Sequence, residues 1–237
     1  MYFQHAPDIW RDFPQLVAGT VFAGTGFADG IAAGGGESPA IAEFTGIARA
    51  RLARGPESEL PEIRAWRRAF AAMGLKPTQY RCAAESLLRR LRKEGSLPLL
   101  HPLVDVCNAV SAAFAVPVAV FDAAAIGGHL EVRYADGDEK YLTFAGEWEQ
   151  PAAGEVIFAD DQRRAHARRW SNRQSGLSAV RAPTSDILIV AEALHDSAPS
   201  DMPRLVAALT AALGPLCSGP PESAILSQDS PRFVFAP

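Results

Sequence analysis

The stretch HPLVDVCNAVSAAFAVPVAVFD, residues 101–122, changes its hydrophobic period halfway along and so decides the fold class. In its first half, apolar side chains recur every three or four residues, which predicts a helix that begins at His101-Pro102. From Val116 the period changes to two, and residues 116–121 are predicted as a strand. The predicted inward face of the helix consists of Leu103, Val106, Val110 and Phe114.

Three more helices are predicted on the amino-terminal side of this stretch, each with an apolar stripe at helical spacing. Ser38, Ser58 and Thr78 are the predicted N-caps. Before them, residues 16–22 resemble a buried strand, and the glycine-rich residues 24–36 are expected to form a mobile loop. The stripes are Ile41, Phe44, Ala48 and Leu52, then Ile63, Trp66, Phe70 and Met73, then Ala84, Leu87, Leu88 and Leu91.

Strand patterns dominate the rest of the chain. Residues 130–134 and 140–144 alternate in polarity on either side of Asp136-Gly137, which predicts a β-hairpin. Residues 155–159 and 187–190 are predicted as buried strands, and residues 203–213 as a closing helix. Because helices come first and strands later, we predict an α/β protein of the α+β type rather than a doubly wound sheet.

Charge is distributed unevenly along the 237 residues. The net charge of −4 argues by itself against a nucleic-acid partner. Residues 60–95, however, hold nine basic and three acidic side chains, and residues 161–181 hold six basic and one acidic. These two segments carry +11 together, so the remainder carries −15. Such segregation predicts local attraction for phosphate.

Several kinds of chemistry have no signal in the sequence. The five histidines show no metal-ligand spacing, no GxSxG element is present, and the three cysteines form no CxxC pair. We therefore expect no metal and no other cofactor. The first residues lack the charged and apolar regions of a signal peptide, and no apolar run approaches the roughly 18 residues that would cross a bilayer. We expect no membrane partner and a cytoplasmic location.

The run HARRWSNRQS, residues 166–175, mixes guanidinium, indole, amide and hydroxyl groups. Arginine can bind phosphate or carboxylate with two hydrogen bonds, and tryptophan can stack on a base. The run is therefore a candidate site, and a solvated arginine-rich edge strand is the alternative. Asp105 and Asn108 share one side of the predicted helix, where they could form a structural network or a pocket wall.

The motifs VDxxN at residues 104–108, PxxxFD at 117–122 and GExxxAD at 154–160 occur in this order. As an ordered set they resemble the B3/B4 domain of the phenylalanyl-tRNA synthetase β subunit, in its freestanding form. The resemblance covers residues 60–195 and implies a three-layer domain with a β-sandwich-like core flanked by helices. Residues 1–59 and 196–237 would be extensions of this single domain.

In the synthetase this module is the editing domain, which hydrolyses tyrosine wrongly attached to the phenylalanine tRNA. By resemblance, Asn108 matches the asparagine of that pocket, and Cys107 stands where a threonine is usual. Two departures set this chain apart. Ala119 replaces a histidine, and Arg173-Gln174 stand where a glutamate is expected. The resemblance therefore implies a pocket redirected to another substrate.

We predict an RNA-binding module for aminoacyl-tRNA, with trans-editing hydrolysis of mischarged tRNA as its candidate activity. A non-catalytic tRNA- or RNA-binding protein and a binder or enzyme for a small anionic metabolite are the alternatives. No obligatory protein partner is evident. The predicted catalytic residues are Asn108, Arg173 and Gln174. The predicted substrate-binding residues are Cys107, Ser111, His166, Arg168, Arg169, Trp170 and Ser175. The predicted RNA-guiding residues are Arg64, Arg67, Arg68, Arg89 and Arg90.

Overall fold

The computed structural model describes residues 1–25 and 38–236. The predicted glycine-rich loop, residues 24–36, lies outside the described residues from residue 26 onward. Helices of the described part are α1 (Pro7–Asp12), α2 (Pro39–Leu52), α3 (Pro61–Ala72), α4 (Ala83–Glu94), α5 (Pro102–Phe114) and α6 (Ala198–Leu213). Strands are β1 (Tyr2–His5), β2 (Val17–Gly24), β3 (Val118–Asp122), β4 (Leu130–Tyr134), β5 (Tyr141–Leu142), β6 (Trp148–Glu149), β7 (Val156–Asp160), β8 (Ala165–Arg168), β9 (Arg173–Gln174), β10 (Asp186–Ala193), β11 (Glu222–Leu226) and β12 (Arg232–Val234). The predicted α+β class is confirmed.

The strands form two main sheets and a separate two-stranded pair. The larger sheet has six strands in the order β12-β1-β4-β7-β8-β9, and the smaller has four in the order β11-β2-β10-β3. All pairings are antiparallel except that of β1 with β4. Because β1 and β12 are neighbours in the larger sheet, segments near both ends of the chain complete the same layer.

The two sheets pack face to face and helices cover the smaller one. Phe121 on β3 and Phe158 on β7 have ring centroids 5.4 Å apart, so they join the sheets across the core. On the other side of the smaller sheet, α6 approaches β2 so closely that a Cβ on Gly19 would lie 2.5 Å from Val206 Cγ2. This gives the expected three layers with a β-sandwich-like core. None of the helices in the described ranges has both the length and the apolar character needed to span a membrane.

Helix caps agree only partly with the sequence patterns. Ser38 caps α2, because its Oγ accepts a 3.3 Å hydrogen bond from Ile41 N. Ser58 and Thr78 are not caps: α3 begins at Pro61 and α4 at Ala83. At α4 the first amide is satisfied from elsewhere in the fold, since Ala83 N donates to Ser171 O at 2.9 Å. A tertiary acceptor thus replaces the local one that the pattern predicted.

The predicted hairpin between residues 130–134 and 140–144 is wrong. Strand β4 pairs with β1 and β7, whereas β5 pairs with β6. A turn does form at Asp136-Gly137, but the wholly buried Glu139 carboxylate accepts hydrogen bonds from both of their amides. Beyond it, Tyr141 is buried in a small cluster with Ile157 and Ala165. Because the ring of Tyr141 is buried in this cluster, β5 pairs with β6 and not with β4.

Candidate functional site

The arginine-rich run forms a hairpin at the edge of the six-stranded sheet. Arg168 pairs with Arg173 across β8 and β9, and the intervening turn contains two residues with left-handed backbone, Arg169 (φ 47°) and Trp170 (φ 57°). Such conformations are costly for residues with a side chain, so surrounding contacts must hold them. Only β9 lies at the edge of the sheet, whereas β8 is an interior strand whose residues are all buried, so the solvated edge-strand alternative does not describe the whole run.

Trp170 anchors this turn in the core. Its indole is wholly buried, with ring centroids 4.8 Å from Phe13 and 5.0 Å from Trp66. Trp170 N donates to Val156 O at 2.7 Å, and Nε1 donates to Glu192 Oε1 at 2.8 Å. These contacts stabilise the strained turn and explain why an arginine-rich segment contains a tryptophan.

A small cavity of about 70 Å³, here called the inner cavity, opens between the two sheets beside this turn. Ala119, Arg173 and Gln174, the positions that depart from the synthetase pattern, all line it. The structure thus brings together residues more than 50 positions apart in the sequence at one site. The complete lining is Ala83, Pro117, Val118, Ala119, Phe158, Ala167, Trp170, Ser171, Asn172, Arg173, Gln174, Val190 and Glu192.

A second and larger opening, the outer cleft, lies on the other side of Arg173 and Gln174. It has a volume of about 400 Å³ and is lined by Tyr141, Thr143, Phe144, Ala145, Glu147, Glu149, Arg173 and Gln174. Arg173 and Gln174 therefore form a wall shared by the two spaces. Gln174 Nε2 donates to Val120 O at 2.6 Å, which fixes this wall to β3.

Most arginines of residues 161–181 are neutralised by carboxylates from other parts of the chain. Arg168 Nη1 lies 2.6 Å from Glu149 Oε2, and its Nε and Nη2 donate to Glu155 at 2.9 Å each. Burial would raise the pKa of Glu155, but Arg168 outweighs that effect and holds the pKa below its usual range. Arg163 pairs with Asp138, and Arg164 pairs with Asp160 at 2.6 Å. The net positive charge that the linear sequence shows here is largely cancelled by folding.

Arg173 and Arg169 keep accessible guanidinium groups. The side chain of Arg173 is 42% exposed, and its contact with Glu149 is a longer 3.4 Å. The guanidinium carbon of Arg173 lies 5.5 Å from the Tyr141 ring centroid, and that of Arg169 lies 4.8 Å from the Tyr80 ring centroid. Guanidinium groups stacked in this way keep their N–H edges available for an anion.

His166 belongs to a buried arrangement of serine, histidine and aspartate. Its Nδ1 lies 2.9 Å from Ser178 Oγ, and its Nε2 lies 3.1 Å from Asp160 Oδ2. These are the residue types of a catalytic triad, but the two ring nitrogens are exchanged relative to that arrangement, and His166 and Ser178 have no exposed surface. Burial would raise the pKa of Asp160, yet hydrogen bonds from His166 and Arg164 hold it well below its usual range. We interpret the group as a structural link.

Three other predicted substrate-binding residues are buried in the core. Ser111 donates to Val116 O at 2.7 Å, and Ser175 donates to Leu142 O at 2.9 Å, so both hydroxyls satisfy the backbone. Cys107 is 1% exposed, and burial raises the pKa of its thiol. None of these three, nor the half-buried Asn108 of α5, is among the described residues that line the inner cavity. The predicted catalytic set is thus divided, with Arg173 and Gln174 at the cavity and Asn108 elsewhere.

The predicted RNA-guiding arginines fall into two groups. Arg67 is bound to Glu85 with a shortest contact of 2.5 Å, Arg90 lies 2.8 Å from Glu94, and Arg89 lies 3.6 Å from Glu57. Arg64 and Arg68, one helical turn apart on α3, are exposed and have no ion pair with the residues that the structure describes. These two are free to meet phosphate.

Glu192 is a residue that the motif search missed. It is 2% exposed, lies on β10 and lines the inner cavity. Its Oε1 accepts from Trp170 Nε1 at 2.8 Å and lies 2.7 Å from His5 Nε2. The available signal was a carboxylate inside a strand, DILIVAEA, that is otherwise apolar after its first residue, since a buried charge there requires partners.

Two clusters of the described residues have the donor atoms to hold a cation. They are Glu62 with His195 and Asp201, and Asp136 with Asp138 and Glu139. In the first, Arg51 Nη2 donates to both oxygens of Glu62 at 2.7 and 2.8 Å. In the second, Arg163 pairs with Asp138 and Arg133 lies 2.6 Å from Glu139. Arginine therefore supplies the positive charge in each cluster.

Comparisons with known proteins found one matching family model and two similar proteins. The family model of the B3/4 domain matches residues 65–205. The phenylalanine–tRNA ligase beta subunit of Shewanella oneidensis is 33% identical over 101 residues, which is 42% of this chain and 12% of that subunit. The chain thus matches only a small part of this relative's length. A crystal structure of an N-terminal fragment of the phenylalanyl-tRNA synthetase β-subunit from Pyrococcus horikoshii aligns with a TM-score of 0.40 and 11% identity, over 52% of this chain and 40% of that one. Because the B3/4 model matches more than half of the chain, the protein belongs to the B3/4 domain family.

Proposed function

We propose that the protein binds the aminoacylated 3′ end of tRNA at the wall formed by Arg173 and Gln174, and that hydrolysis of the aminoacyl ester is its activity. The observation that carries the proposal is that Arg173, a partly exposed guanidinium, separates a small inner cavity from a larger outer cleft. An ester bond placed at this wall would have its acyl group on one side and its nucleotide on the other. As a partner of tRNA, the protein would act in the cytoplasm.

Two further features support a tRNA ligand. The relative from Shewanella oneidensis is named as a tRNA ligase subunit, and this chain resembles part of it. Arg64 and Arg68 on α3 offer two unpaired guanidinium groups, and α3 packs on the arginine-rich turn through the contact between Trp66 and Trp170. Phosphate binding by such exposed arginines gives affinity without base specificity.

The proposed chemistry is attack of water on the ester carbonyl. Arg173 would donate hydrogen bonds to the carbonyl oxygen, where negative charge develops as the tetrahedral intermediate forms. Asn172, whose Nδ2 donates to Arg81 O at 2.8 Å, and Gln174, which is bound to Val120 O, would keep the wall rigid around that oxygen. In this proposal positioning and charge stabilisation replace a covalent nucleophile.

The test combines tRNA binding with deacylation, using the whole chain because β1 and β12 complete the larger sheet. Wild-type protein should bind tRNA with a log affinity that falls linearly with log salt. Arg173→Ala should weaken binding and abolish deacylation of those aminoacyl-tRNAs that the wild type hydrolyses. Arg204→Ala is a matched control, because this arginine is 71% exposed and lies beside Asp201, away from both openings.

Three outcomes separate the alternatives. Binding without deacylation of any aminoacyl-tRNA would favour the non-catalytic RNA-binding alternative. Absence of tRNA binding even at low salt would overturn the proposal and favour the small-metabolite alternative. Equal loss in Arg173→Ala and Arg204→Ala would show that the effect is one of overall charge rather than of this wall.

A further inference from the structure

Glu192 is a buried carboxylate that has no arginine or lysine partner among the described residues. With 2% exposure it should be paired, because buried charges are ordinarily neutralised by an opposite charge. No arginine or lysine of the described ranges forms an ion pair with it. Its two contacts, from Trp170 and His5, both go to Oε1. Throughout residues 1–25 and 38–236, Oε2 has no protein donor.

The contact with His5 goes to the same oxygen of Glu192 as the contact with Trp170. The Nδ1 atom of His5 is buried and has no hydrogen-bond partner. The tautomer with its hydrogen on Nε2 fits this environment, because it donates to Oε1 and leaves only a lone pair without a partner. His5 and Trp170 therefore both contact Oε1, and neither contacts Oε2.

The same cavity has another unsatisfied polar group. Ser171 lines the inner cavity, and its Oγ is buried without a hydrogen-bond partner among the described residues. Buried polar atoms nearly always have a partner in the protein, in water or in a ligand. A buried carboxylate without an arginine or lysine partner and a serine with an unsatisfied hydroxyl therefore both line the inner cavity.

The size of the space restricts what can occupy it. At about 70 Å³ it is much smaller than the 300–1,000 Å³ typical of sites for drug-sized ligands. A water molecule requires roughly 15 Å³ of such volume, so about five non-hydrogen atoms fit. Much of the remaining wall is apolar, including Ala119, Ala167 and Val190, which suits a methyl-sized group rather than an aromatic ring.

We propose that the inner cavity binds a small primary ammonium group, with Glu192 as its counter-ion and Ser171 as a second hydrogen-bond partner. The ligand class that fits is the acyl end of a small α-amino acid such as alanine or glycine. This inference deepens the proposed function, because Arg173 lies at the boundary through which an esterified nucleotide would extend into the outer cleft. The site therefore selects the ligand by charge and by size.

The experiment measures binding of small probes to the whole protein by calorimetry and by melting temperature. L-Alaninamide and glycinamide, which carry an ammonium group, should bind and raise the melting temperature. N-Acetyl-L-alaninamide lacks the charge, and L-phenylalaninamide exceeds the volume, so neither should do so. Since all four probes are compared on the wild-type protein, the result does not depend on any variant folding.

Glu192→Gln keeps an oxygen for Trp170 and removes the charge. It should weaken alaninamide binding roughly ten- to a hundredfold, the range for a hydrogen bond to a charged group. Ser171→Ala should weaken it less. Equal responses to alaninamide and its N-acetyl derivative, a stronger response to phenylalaninamide, or no response to either small amide at millimolar concentration would overturn the assignment.

Failure of the ammonium site and failure of the proposed function give different experimental results. If tRNA binding depends on Arg173 while no small amide binds, the proposed function stands and the ammonium site is wrong. If alaninamide binds through Glu192 while tRNA does not bind, the ammonium site stands and the proposed function is wrong.

Discussion

The indole Nε1 of Trp170 lies 2.8 Å from the Glu192 carboxylate, and this hydrogen bond joins the two sheets. Trp170 belongs to the turn between β8 and β9 in the six-stranded sheet, whereas Glu192 belongs to β10 in the four-stranded sheet. Both side chains line the inner cavity. The link therefore sets the relative position of the cavity walls, and several measurable properties depend on it and on its neighbours.

Replacing Trp170 with phenylalanine keeps an aromatic ring and removes this donor. We expect the free energy of unfolding to fall by about 1.5–3 kcal/mol, the usual effect of losing a hydrogen bond to a charged group. Urea unfolding measures the change. Trp148→Phe is the control, since Trp148 is 60% exposed and should change stability by less than about 0.5 kcal/mol. Similar losses in both variants would contradict the anchoring role of Trp170.

Arg168 should contribute far more to stability than a surface arginine. Its side chain is 8% exposed and that of Glu155 is 10% exposed, so Arg168→Ala leaves the buried Glu155 carboxylate without its partner, whereas Glu149 keeps its 3.4 Å contact with Arg173. Breaking a buried pair in this way costs about 3–5 kcal/mol. Arg90→Ala removes the exposed pair with Glu94 and should cost less than about 1 kcal/mol. Thermal and urea unfolding of the two variants test the contrast, and equal costs would argue against a buried network.

Asp160 should make the protein sensitive to acid. Its pKa is lowered in the folded state, so its contribution to stability is present above the unfolded carboxyl pKa of about 3.9 and is lost as the pH falls toward the folded value. Asp160→Asn should therefore be less stable than wild type at pH 7, by about 2 kcal/mol or more. The difference in unfolding free energy between the two proteins should decrease as the pH is lowered below about 4. A difference that stays constant over this pH range would contradict the predicted dependence of stability on the ionisation of Asp160.

The three cysteines should differ in their reaction with a thiol reagent. Burial raises the pKa of Cys82 to about 12 and raises that of Cys107 as well, so both remain protonated at pH 8 and are shielded from reagent. Cys217 is only partly buried. Ellman's reagent should titrate one thiol in the native protein and all three in urea. Cys217→Ser should remove the native reaction, and a second thiol reacting at the same rate would contradict the burial of the others.

Arg64 and Arg68 should matter more for tRNA binding than the paired arginines of α4. Replacing both with alanine should reduce the slope of log affinity against log salt by about 0.7–0.9 for each phosphate that is no longer neutralised. Arg90→Ala should have little effect, because Arg90 already lies 2.8 Å from Glu94. Binding titrations over a range of salt concentrations provide the measurement. An unchanged slope in the double variant would remove α3 from the proposed RNA interface.

The sequence patterns predict some features of the candidate site and not others. The resemblance singled out Ala119 and Arg173-Gln174 as departures from the synthetase pattern, and the structure brings these residues to one cavity. Asn108 and Ser111, which were predicted to line the same pocket, are not among its described lining residues. The composition of residues 166–175 indicated binding groups, but it could not distinguish the accessible Arg173 from the buried His166. Exposure depends on which face of the hairpin meets the core, and both residues lie in the same polar-looking run.

By itself, the sequence determined the helices and strands whose hydrophobic period is regular, such as α5 and β10, and the family to which the chain belongs. These properties depend on residues near one another along the chain, or on motifs in a given order. The strand partners, the neutralised arginines and the ammonium-binding role proposed for Glu192 were decided only by the tertiary structure. Glu192 meets Trp170 from 22 residues away and His5 from 187 residues away. Contacts over such separations arise from the packing of the two sheets, which no local pattern records.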